Sequence, residues 1–195
     1  MNIESLYSNA MFGNEVPTMI TTLPELLFQE CGIMKQACDE LRSHPYSFLK
    51  EHHNAGKNSY QVSVPQNIVE NSFLYPYILY AGQYYLQHFK NIPMKTDQRH
   101  VRLRNNANHF DAYDFWINYS NKGNYNPPHT HRDGLGLSGV IYFTPNPEPT
   151  VFENRLQFQG SPGQVILFPS SLEHSVPEQQ SEEERITFAF NLEYK

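Results

Sequence analysis

The chain has 195 residues, which is most simply one domain and enough to bury a full core. Its net charge of −6 and pI near 5.8 speak against a surface dedicated to nucleic acid or acidic membrane. No apolar run nears the ~18 residues of a membrane span, and the first residues form no signal region, so a soluble, cytoplasmic protein is expected. One local basic stretch, Lys95 to Arg104, reads as a solvated strand face.

Taken in order, Val16 to Ile20 reads as a short strand. Thr22-Leu23-Pro24-Glu25 marks a helix start, with a hydroxyl cap, Pro in the first turn and an early Glu. Leu26, Leu27, Ile33, Met34, Ala37 and Leu41 follow as an approximate helical stripe, and His44-Pro45 ends it. Cys31 and Cys38 fall about 10 Å apart along this helix, too far for a disulfide, so free thiols and a reducing compartment are expected. Residues 51 to 65 read as a loop, with adjacent His52 and His53 at the surface, leading to a strand at Tyr60 to Val64. Asn71 or Ser72 caps a helix over residues 73–90. Its broad aromatic side, including Tyr77, Tyr80, Tyr84 and Tyr85, is suited to cover a sheet.

The second half changes to strands. Val101 to Arg104 alternates, and Asp114 to Tyr119 is rich in aromatic and β-branched residues. Leu137 to Phe143, Thr150 to Glu153, Leu156 to Gln159, Gln164 to Phe168 and Ile186 to Asn191 follow, separated by Pro- and Gly-containing turns. This predicts an α+β chain: a single domain over 1–195, with 1–98 as helix-rich support and 99–195 as a jelly roll or other double-sheet barrel.

The chemistry-bearing stretch is Gly123 to His131, G-N-Y-N-P-P-H-T-H. Residues two apart in an extended segment point to one side, so His129 and His131 can face one point. A third imidazole, His174, lies in F-P-S-S-L-E-H-S-V. Three neutral imidazoles suit Fe(II), Zn(II), Cu(II) or Ni(II). His131-Arg132-Asp133 is itself an H-x-D, so spacing alone allows two triads, His129/His131/His174 or His131/Asp133/His174. Arg185 follows, with a planar guanidinium suited to fork onto a carboxylate. The plain alternative for Arg185 is a surface ion pair with Glu182 to Glu184.

Four stretches carry a family resemblance: W-I-N-Y-S-N-K-G-N-Y-N-P-P-H-T-H (116–131), L-S-G-V-I-Y-F (137–143), Q-V-I-L-F-P-S-S-L-E-H-S-V (164–176) and E-R-I-T-F-A-F-N (184–191). Their order and spacing resemble the Fe(II)/2-oxoglutarate-dependent dioxygenase superfamily, within it the small bacterial and phage branch. The resemblance implies a double-stranded β-helix, a jelly-roll or cupin-like barrel, with the N-terminal helices packed on one sheet. It implies Fe(II), 2-oxoglutarate and O2 as cofactors, and hydroxylation of a small-molecule or peptidyl substrate with release of succinate and CO2. It places His129, His131 and His174 on the metal, with Asp133 as the alternative ligand. His131 stands where the family usually has Asp. Arg185 falls on the arginine that binds the far carboxylate of 2-oxoglutarate, and Asn118, Tyr119 and Tyr142 are further candidates for holding it. Two competing functions remain: a three-His cupin-like dioxygenase that does not use 2-oxoglutarate, and a barrel that binds without turnover.

Overall fold

Two antiparallel sheets lie face to face, with the helices on the outer side of the larger one. The computed structural model describes residues 7–13, 15–43, 60–89, 110–131, 136–145 and 147–194. In chain order the strands are β1 (Met11–Phe12), β2 (Met19–Thr22), β3 (Tyr60–Ser63), β4 (Phe110–Ser120), β5 (Asn126–His129) and β6 (Gly136–Tyr142). They continue as β7 (Thr150–Phe152), β8 (Leu156–Phe158), β9 (Gln164–Pro169), β10 (His174–Val176) and β11 (Arg185–Tyr194). The helices are α1 (Glu25–Ser43), α2 (Gln66–Glu70) and α3 (Leu74–His88). The larger sheet runs β1-β2-β9-β6-β11-β4-β3 and the smaller β5-β10-β7-β8. This is the expected jelly-roll, double-stranded β-helix architecture. The N-terminal half supplies strands as well as helices, because β1 and β2 close one edge of the larger sheet and β3 the other.

The larger sheet is covered on both faces, and alternation sorts its side chains. Phe115, Ile117 and Tyr119 of β4, Leu137 and Ile141 of β6, Val165 and Leu167 of β9, and Ile186, Phe188 and Leu192 of β11 pack toward the helices. Their neighbours in sequence face the smaller sheet, where Tyr142, Ile166 and Phe168 meet Phe152. Each fully buried Phe or Leu contributes roughly 1.5–3 kcal/mol of burial free energy, so the helix-side layer is the main source of stability.

One expectation changes here. In α1 the buried seam is Cys31, Met34 and Cys38, with Leu23 just before the helix, while Leu26 and Ile33 are 76 % and 70 % exposed. The predicted stripe merged two faces: cysteine packs as a small hydrophobe, and the seam runs through the thiols rather than through Leu26 and Ile33. Both cysteines are free. His44, His52, His53, the Lys95–Arg104 stretch with its predicted strand at Val101 to Arg104, and Asp133 lie outside the described residues.

Candidate metal centre and active site

The three histidines that the sequence singles out come together between the sheets. β10 pairs with β5 so that His174 stands directly opposite His129. On its other side β10 pairs with β7, which sets His174 against Phe152. His131 lies just past the end of β5, and its backbone N–H donates to the Ser170 carbonyl at 2.9 Å. Pro127 and Pro128 hold β5 extended on the approach. The ligand atoms of the three rings all lie within 4.8 Å of one another.

Their hydrogen bonds fix which nitrogens are offered. His129 Nδ1 lies 2.7 Å from the Pro127 carbonyl, and His174 Nδ1 lies 3.0 Å from the Leu172 carbonyl. A carbonyl only accepts, so both Nδ1 atoms carry the proton and both Nε2 atoms present a lone pair. Carbonyls that orient metal-binding imidazoles act in this way. His131 Nε2 sits 3.1 Å from His174 Nε2. Two nitrogens at right angles, each about 2.1 Å from one ion, would be separated by about 3.0 Å. Burial, then the neighbouring His129, pushes the His131 pKa down to about 4. Burial, then His129 and His131, pushes His174 down to about 3. Both rings are therefore neutral ligands at neutral pH.

A cavity of about 460 Å³ opens from this cluster between the sheets. Arg185 lines one end, fully buried as the first residue of β11. Its guanidinium carbon lies 5.8 Å from the centre of the Tyr142 ring, and its Nη2 is 3.5 Å from Thr150 Oγ1. Tyr142 and Thr150 hydroxyls are 2.9 Å apart. Burial depresses the Arg185 pKa and raises that of Tyr142. A guanidinium still keeps its proton. That end therefore holds a cation and two hydroxyls shielded from water. Thr150 was not singled out in the sequence; its pairing with Tyr142 across a connection could be found only in the fold.

Asn118 also lines the cavity, and it accepts from Trp116 Nε1 at 3.0 Å and donates to Thr187 Oγ1 at 3.2 Å. Tyr119 is not among the lining residues. As the next residue in the strand it faces the helices, where its hydroxyl donates to Asp39 at 2.7 Å and Arg42 lies 4.4 Å over its ring. Arg42, itself partly buried, also pairs with Glu184 of the glutamate run at 2.6 Å.

Residues 143–191 match the family model described as "Putative 2OG-Fe(II) oxygenase", a span that contains His174 and Arg185. That span is about a quarter of the chain, so the match is a resemblance to the 2OG-Fe(II) oxygenases over its C-terminal part. Among curated proteins no relative matches the sequence. Solved structures with the same fold include a viral collagen prolyl hydroxylase from Paramecium Bursaria Chlorella virus-1, 14 % identical with a TM-score of 0.55 over 90 % of this chain and 96 % of that one. A prolyl hydroxylase from Trichoplax adhaerens, in complex with a hypoxia inducible factor peptide fragment, is 13 % identical with a TM-score of 0.55, over 100 % of this chain and 88 % of that one. The non-heme alpha ketoglutarate dependent epimerase SnoN of nogalamycin biosynthesis is 9 % identical with a TM-score of 0.63, over 98 % and 82 %. The cofactors of the superfamily are Fe(II), 2-oxoglutarate and O2. The donor set of this chain fits them, with three imidazoles for a borderline metal and a buried cation for a carboxylate.

Proposed function

We propose that this protein is a 2-oxoglutarate-dependent oxygenase that holds Fe(II) with His129, His131 and His174, and hydroxylates a small molecule or a peptidyl side chain. The observation that carries the reading is the 3.1 Å approach of His131 Nε2 to His174 Nε2, with His174 already protonated on Nδ1. Two ring nitrogens brought that close, within reach of a third, suit a shared cation better than a hydrogen bond. Asp133, the alternative ligand from the sequence, lies outside the described residues.

Arg185, Tyr142 and Thr150 would bind the far carboxylate of 2-oxoglutarate. Arg185 supplies the charge, and the two hydroxyls orient the carboxylate. Asn118, held by Trp116 and Thr187, offers its remaining amide proton to the co-substrate. With all three bound, the cofactor set supplies an oxidant able to attack an unactivated C–H bond, and 2-oxoglutarate leaves as succinate and CO2. The apolar wall of Phe152 and Phe168 around His174 excludes water from that side. The buried cation at the end of the cavity favours this reading over a three-His dioxygenase that does without 2-oxoglutarate. The free, buried thiols fit the reducing cytoplasm.

Purified protein given Fe(II), 2-oxoglutarate and O2 is expected to release succinate. The release should stop when Fe(II) is withheld. Bound iron without succinate would contradict the proposal.

Gly160 gives a second handle on the Arg185 end. A Cβ there would lie 2.5 Å from the Tyr142 ring. Gly160→Ala is expected to displace that ring, to lower stability by about 1–3 kcal/mol in urea unfolding, and to weaken 2-oxoglutarate binding. Unchanged affinity would remove Tyr142 from the carboxylate site.

A further inference from the structure

The cavity has two chemically different ends, and the proposed function uses only one. On β11 the inward residues run Arg185, Thr187, Ala189 and Asn191. Arg185 and Asn191 are six residues apart, roughly 20 Å along a strand. Ala189 pairs with Trp116 on one side and Val140 on the other. The Trp116 ring lies 5.9 Å from that of His131, so the imidazole cluster sits beside this middle row. With 2-oxoglutarate between Arg185 and the metal, a substrate must approach from the other side.

That side is built from Asp114, Asn191 and Ser138, all lining the cavity. Ser138 Oγ donates to Asn191 Oδ1 at 2.8 Å. Ser138 has one proton, so Ser170 Oγ, 3.1 Å away, must donate to Ser138. The chain binds the carboxamide oxygen and leaves the Asn191 amide protons as its donors. Asp114 is placed by a bulge. Ala189 pairs with Trp116 and Asn191 with Tyr113, so Phe190 faces two residues of β4, Asp114 and Phe115. Asp114 has φ of 50°, a left-handed conformation in the middle of a strand. Aspartate tolerates this better than most residues, and bulges beside active sites re-aim side chains. Among the described residues Asp114 is the only acidic group lining the cavity, and Arg185 the only Lys or Arg.

We propose that this end anchors the substrate through a cationic nitrogen, an ammonium or guanidinium, accepted by Asp114 and flanked by the face of Trp116. Asn191 donates to a neighbouring oxygen of the same substrate. The two ends then sort the two ligands by charge. Arg185 draws the dianionic co-substrate, and Asp114 repels it and draws a cation. The inference rests on the oxygenase reading for its orientation.

Trp116 is the only tryptophan of the chain, so intrinsic fluorescence reports the cavity directly. The full chain, with and without Mn(II) and 2-oxoglutarate, would be titrated with pentylamine against 1-pentanol, and with butylguanidine against butylurea. Each cation is expected to bind at least ~10-fold more tightly than its neutral partner, and Asp114→Asn should erase that preference. Asparagine also accepts the left-handed backbone, so the bulge is kept. Equal binding of the neutral partners, a preference that survives in Asp114→Asn, or no response to any of the four probes would overturn the proposal. 2-Oxoglutarate binding is measured on the same samples. Its failure, with cation preference intact, would overturn the oxygenase reading and leave the cation site standing.

Discussion

His174→Leu is expected to abolish Fe(II) binding while leaving the barrel folded. His174 is the buried member of the triad, set against Phe152 and Phe168. A leucine fills most of its space in apolar surroundings and presents no lone pair. Its strand pairing to β5 and β7 is made by backbone and survives the change. The Leu172 carbonyl loses its donor, a modest cost of about 1 kcal/mol. Removing groups that only orient a ligand costs roughly 10–100-fold in metal affinity, so removing the ligand itself should cost more than about 100-fold. Equilibrium dialysis with Co(II) as the oxygen-stable stand-in measures this. Retained affinity, with the circular dichroism spectrum unchanged, would place the metal elsewhere.

Arg185→Met should separate ligand binding from stability. The guanidinium is buried, and desolvation is the largest influence on its pKa, which falls. The charged form is therefore disfavoured by folding, and a thioether of similar length is expected to cost no thermal stability. Affinity for 2-oxoglutarate should move the other way. Truncating one member of a buried charge pair costs about 2–5 kcal/mol, which is roughly 30-fold to several-thousand-fold in Kd. Isothermal titration of the Mn(II)-loaded protein gives the affinity, and thermal denaturation gives the stability. Joint loss of both would make Arg185 a structural residue.

Much of the site was legible because two strands present it in simple alternation. His129 and His131 are two apart, and their rings do converge. Their meeting with His174 needed family resemblance as well as spacing, since no rule of period reaches from β5 to β10. The same alternation explains Tyr119. Asn118 and Tyr119 are consecutive, so one strand could bring only one of them to the cavity. Which one was fixed by the helices, whose apolar faces claimed Phe115, Ile117 and Tyr119. Asp114 was hidden for a different reason. It falls two residues before Trp116, but its backbone is that of a bulge, which local sequence without glycine does not announce. The chain Ser170–Ser138–Asn191 joins the turn after β9 to β6 and β11, and Thr150 meets Tyr142 only once β6 and β7 are placed in opposite sheets. The cysteines of α1 lie on its buried seam, which hydropathy conceals because Leu26 and Ile33 are more apolar and yet face outward.

The most direct test of the account uses anaerobic protein with one equivalent of Fe(II), to which 2-oxoglutarate is added while the visible spectrum is recorded. Chelation of iron by the 2-oxo acid gives a weak metal-to-ligand charge-transfer band. The band is expected to appear in the wild type, to need much more 2-oxoglutarate in Arg185→Met, and to be absent in His174→Leu. Iron held by the wild type with no band at any 2-oxoglutarate concentration would contradict it.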